Sequence, residues 1–179
     1  MNGFAGNVAL SVSGLPTGVT ASFNPATVTG SGASTMTLTS TAGTPAGSYP
    51  LTVTGTSGAL SHTASATLAI TDFSVSATPG SQSVVAGASA AYAVAVTALN
   101  GFAGNVAFSV TGLPAGVTAS FNPTTLSGGG SSTMTLATTA ATIAGSYPFT
   151  VTATSGNTSH TANATVIVTA AAGGGTLAG

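Results

Sequence analysis

The chain has 179 residues with no Lys or Arg, a single acidic residue and two His, for a formal net charge of −1. Without cations it has no means of neutralising phosphates, which excludes nucleic-acid binding and polybasic membrane contact. With 43% hydrophobic residues, almost no charge and no Cys, it is neither a disordered polyelectrolyte nor a disulfide scaffold, and no apolar run is long enough for membrane insertion as a helix.

The chain repeats itself. Asn2-Gly-Phe-Ala-Gly-Asn-Val-Ala returns from Asn100, and residues 2–71 align with 100–169 without a gap; 20 of these 70 positions differ, so 50 are identical. A period of 98 residues is too long for a solenoid unit and matches one small β-sandwich. The second copy is preceded by residues 72–99, which have no counterpart ahead of the first. The expected organisation is a partial repeat over 1–71, a complete repeat over 72–169 and a flexible Gly/Ala-rich tail over 170–179.

Short β-rich runs set off by Gly and Pro fill the complete repeat. The expected strands are 72–77, 82–86, 89–98, 104–112, 117–121, 132–138 and 146–154, with a long last strand over 158–169. Pro79-Gly80 separates the first two. Tyr92, Val94 and Val96 alternate with small residues, as do Val106, Phe108 and Val110. Gly112 and Gly116 bracket a turn with Pro114 at its corner, and Leu15-Pro16-Thr17-Gly18 is the same turn in the first copy. Asn122-Pro123 stops a strand, and Ser127–Gly130 is expected to be a flexible loop. Tyr147, Phe149 and Val151 share one face; His160, Ala162, Ala164, Val166 and Val168 share another. The opposite faces are Thr and Ser, whose hydroxyls meet water. No segment has helical periodicity. The class is all-β: tandem Ig-like Greek-key β-sandwiches, the first N-terminally incomplete.

Two strings, Ser-Gly-Leu-Pro-Thr-Gly-Val-Thr-Ala-Ser-Phe-Asn-Pro (13–25) and Ala-Gly-Ser-Tyr-Pro-Leu-Thr-Val-Thr-Gly-Thr-Ser-Gly (46–58), resemble the Ig-like and fibronectin-III-like tandem repeats of large secreted and surface proteins of bacteria. The resemblance implies an extracellular, non-catalytic role as a stalk, spacer or adhesive array, with neighbouring repeats of the same protein as partners. It supplies no catalytic residues.

Chemistry-bearing residues are few. His62 and His160, one per repeat, fall near the start of a strand on its apolar parity and are expected to be structural. The lone Asp72 has no second carboxylate beside it in sequence, so neither a metal site nor paired acid–base catalysis is expected. No enzyme activity or cofactor is implied. Tyr49 and Tyr147 are expected as tyrosine-corner anchors, with the ring in the core and the hydroxyl on backbone. Phe4 and Phe102, in the Gly-Phe-Ala-Gly segments, are the candidates for contact with a polysaccharide or cell-surface ligand. Edge strands here cannot be guarded by Lys, which leaves self-association through strand edges open.

Overall fold

The computed structural model describes residues 3–171. The chain divides into two compact units, Met1–Asp72 and Phe73–Gly179. Among the described residues every regular element is a strand.

The second unit begins with β7 (Asp72–Thr78), β8 (Ser81–Val85) and β9 (Ser89–Leu99). It continues with β10 (Asn105–Thr111), β11 (Val117–Asn122), β12 (Thr125–Ser127), β13 (Gly130–Thr138), β14 (Gly145–Ser155) and β15 (Thr158–Thr169). One sheet has the order β11-β13-β9-β7 and the other β12-β10-β14-β15-β8. Each sheet mixes strands from both ends of the sequence, as a Greek-key immunoglobulin sandwich does. β11 with β13, β13 with β9, β10 with β12 and β14, and β14 with β15 pair antiparallel, whereas β8 and β15 run parallel from Thr165↔Ser81 to Thr169↔Val85.

The alternation read from sequence is realised as burial. Ala90, Tyr92, Val94 and Val96 of β9 point inward, and Phe149, Val151, Ala164, Val166 and Val168 meet them from the other sheet. Tyr92 and Phe149 touch edge to face, with centroids 5.1 Å apart, a favoured geometry for aromatic quadrupoles.

The first unit contains β1 (Asn7–Ser13), β2 (Val19–Asn24), β3 (Thr27–Thr29), β4 (Thr35–Ser40), β5 (Gly47–Ser57) and β6 (Leu60–Ile70). These correspond in order to β10–β15. One sheet is β3-β1-β5-β6, the other only β2-β4. Among the described residues nothing in this unit corresponds to β7, β8 or β9.

Three details differ from the sequence reading. The three-residue strands β3 and β12 were not anticipated, because a Thr-Val-Thr or Thr-Leu-Ser run after a Pro is too short to show alternation. Ser127–Gly130 is not a loose loop: Gly128 is buried at φ 69° with its N–H on the Gly104 carbonyl at 2.8 Å, and Gly130 starts β13. The parallel β8–β15 pairing also carries no local signature. The expected flexible tail lies, from residue 172 on, outside the described residues.

Candidate functional site

Each unit carries the same turn anchor. Tyr147 stands near the start of β14 and its hydroxyl donates to the Ile143 carbonyl at 2.9 Å. Tyr49 does the same in β5, donating to the Pro45 carbonyl at 2.9 Å. Both rings are partly buried, and the Tyr147 ring packs on the main core. Beside each lies a threonine clasp that the sequence reading did not single out. Thr142 Oγ1 donates to the Gly116 carbonyl at 3.1 Å and accepts the Thr139 N–H at 3.0 Å. Thr44 does so with Gly18 and Thr41, both at 3.2 Å. Gly116 and Gly18 have φ of 82° and 85°, which favours Gly. A Cβ at either would stand 2.8 Å from a clasp hydroxyl. The signal was present in sequence as Thr-x-x-Thr at the same place in both copies.

Two of the remaining candidates, Phe102 and His160, join one aromatic group in the second unit. Phe73, at the start of β7, is 1% exposed. Its ring lies 5.0 Å from Phe102 and 4.8 Å from His160, edge-on to the imidazole at 87°. Val96, Val106 and Ala153 complete this second core cluster. Phe102 and His160 are therefore half-buried under a ring that sequence reasoning passed over. Phe73 has no aligned counterpart, so the repeat comparison could not point to it.

In the first unit Phe4 and His62 occupy the aligned positions, and among the described residues no ring lies between them. Phe4 is 47% exposed and His62 is exposed. With Val8, Gly55, Ser57 and Leu60 they line a cavity of about 350 Å³. A second cavity of about 470 Å³ has Val8, Leu10, Phe23, Met36, Val53 and Ala66 among its walls. Both are apolar, and both belong wholly to the first unit.

The electrostatics are sparse. Among the described residues no three His, Cys, Asp or Glu side chains gather where a metal ion would bind. Burial pushes the Tyr92 phenol above its ordinary value, opposed by a backbone hydrogen bond from Gln82. Its hydroxyl donates to the Thr165 carbonyl at 2.8 Å. The described chemistry suits apolar contact and backbone pairing. Among the described residues no helix is long and apolar enough to cross a membrane.

No protein family and no curated protein matches the sequence. Among solved structures, the S-layer protein rSbsC(31-844) is similar at 24% identity and a TM-score of 0.44, covering 75% of this chain and 18% of that one. An endo-fucoidan hydrolase, MfFcnA4 of glycoside hydrolase family 107, is similar at 17% identity and a TM-score of 0.38, covering 92% and 24%. The N-terminal four Ig domains of Dscam1 isoform 8.4 are similar at 12% identity and a TM-score of 0.35, covering 68% and 27%. The chain spans only 18–27% of the length of these three chains.

Proposed function

We propose that the chain is a non-catalytic segment of a repeat array in an extracellular or cell-surface bacterial protein, where it serves as a spacer between other domains. The observation that carries this reading is the recurrence of one sandwich plan at a fixed offset of 98 residues, with turn anchor, threonine clasp and strand order repeated. Selection that preserves a scaffold twice, while supplying it with one acid and two imidazoles, acts on the scaffold. The Thr and Ser faces keep such a surface wetted without charge. One residue, Thr71, separates β6 from β7, so the segment spends almost no chain on linkers.

The test is one of location and binding. On intact producing cells an antibody to the chain reaches it, and the purified chain binds no polysaccharide or cell-wall fraction saturably. Protection from antibody until the cells are opened overturns the surface assignment. Saturable glycan binding that falls tenfold or more in Phe4→Ala overturns the spacer role and makes the chain a carbohydrate-binding module. Phe4 is the suitable probe because it is 47% exposed.

A further inference from the structure

The two units are an internal control, because nearly the same sequence is packed in two settings. Val106, Met134, Leu136, Val151 and Val166 are all at 0% exposure. Their counterparts Val8, Met36, Leu38, Val53 and Leu68 are all partly exposed, and Ala66 is exposed where Ala164 is buried. Their local strands are the same, since β1 with β5, β5 with β6, and β2 with β4 keep the registers of their partners in the second unit. The difference lies in what covers them.

In the second unit the cover is visible. β9 pairs antiparallel with β13, placing Tyr92 opposite Met134 and Val94 opposite Ser132. β8 pairs with β15, and Phe73 of β7 fills the space between Phe102 and His160. Among the described residues of the first unit β4 pairs only with β2, so its far edge presents backbone groups to a newcomer. The cavity of about 350 Å³ lies beside Phe4 and His62, the positions that hold the Phe73 ring in the other unit. The cavity of about 470 Å³ has Met36 and Val53 in its wall, aligned with Met134 and Val151, which lie in one core with Tyr92 and Val94.

We infer that the first unit is an acceptor for the leading strands of a further repeat of this type, a segment with the chemistry of Phe73–Leu99. An aromatic residue enters between Phe4 and His62, and an alternating strand of small residues, Tyr and Val pairs antiparallel with β4 across Met36. The chain's own Phe73–Leu99 is not available, because Phe73, Tyr92, Val94 and Val96 are already 0–4% exposed in the second unit. A second copy of this chain is ruled out as donor on the same ground. The inference goes beyond the spacer role and does not depend on it, since glycan binding or cell location leaves it untouched.

The probe is the peptide Asp72–Leu99, added to the full chain while amide exchange is followed by segment. The expected result is saturable one-to-one binding that slows exchange of Thr35–Ser40 at least tenfold and leaves Thr133–Thr138 unchanged. Phe73→Ala in the peptide weakens binding tenfold or more, and it leaves the acceptor chain unaltered. A peptide that aggregates is replaced by the same segment fused ahead of Asn2, with Leu99 joined where it precedes Asn100 in the second unit. Unchanged exchange of Thr35–Ser40 with a soluble peptide, or in the fused protein where the peptide aggregates, overturns the inference. So does protection of those amides that grows with concentration of the chain alone, since a second copy then occupies the face.

Discussion

Met134 and Met36 offer a direct test of whether the first unit's apolar face is open. Both sit in the sequence Thr-Met-Thr-Leu, and both stand opposite a Phe of the neighbouring strand, Phe121 and Phe23. Met134 is 0% exposed and also faces Tyr92 from β9, whereas Met36 is partly exposed and has no such strand beside it. Met134→Ala removes a buried side chain and leaves a cavity that the two sheets only partly close. Such changes cost about 2–5 kcal/mol, and a site hemmed by Tyr92 and Phe121 belongs near the middle, about 3 kcal/mol. In a domain of this size that corresponds to a midpoint lowered by roughly 12–24 °C. Met36→Ala removes surface that is already wetted and opens no enclosed hole, so its cost stays under about 1 kcal/mol. Hydrogen exchange in increasing urea, read at residues 133–138 and 35–40, reports each unit separately. Equal losses for the two substitutions, or a larger loss at Met36, would refute the claim that the face is uncovered.

Phe73→Ala should destabilise the second unit by about 3–5 kcal/mol, since it empties the centre of its smaller core; proton NMR should also show the His160 ring losing its ring-current shift, and a cost under about 1 kcal/mol would mean the aromatic group is peripheral. Tyr92→Phe should cost about 1–3 kcal/mol at neutral pH, because the Thr165 carbonyl loses its donor. The Tyr92 phenol is raised in the folded state, so the folded chain holds its proton where the unfolded chain, near the ordinary value of about 10, has lost it. Its contribution is thus complete below about pH 10 and is lost as pH rises through the folded value; urea midpoints at pH 8 and above 10 should fall less in Tyr92→Phe than in the parent, and equal falls would contradict the burial argument. Stability should change by less than about 0.5 kcal/mol between 20 mM and 0.5 M NaCl, because a chain with no Lys or Arg has no side-chain ion pairs other than those of its two His to screen; a steep dependence would point to a specifically bound ion.

The legible parts of the fold were those encoded locally. Alternation of Tyr92, Val94 and Val96 gave the inward face of β9, and Gly112 and Gly116 marked positive-φ corners that the structure places at 90° and 82°. Strand boundaries fell within one or two residues for most elements because Gly, Pro and Asn punctuate the runs. What escaped has long-range causes. The parallel pairing of β8 with β15 joins residues more than eighty positions apart and leaves no periodicity in either strand. Phe73 looks in sequence like any apolar residue at a strand start, and only the approach of Phe102 and His160 makes it a core centre.

His62 and His160 show why the candidate site was harder to read than the fold. Their neighbours in sequence are the same Ser and Thr, and their strands pair in the same register, opposite Gly55 and Ala153. One imidazole is exposed and the other is half-buried against an aromatic ring. Periodicity specifies which side of a sheet a residue occupies, but not whether another layer lies on that side. In a sandwich the covering layer comes from strands distant in sequence, so a face can be fully encoded as apolar and still lack its partner. Unpaired, it retains both requirements of a binding surface, an apolar floor and an edge of free backbone groups. The same pattern that makes β13 and β15 parts of a closed core leaves β4 and β6, in the inference drawn above, as the receptor for a strand.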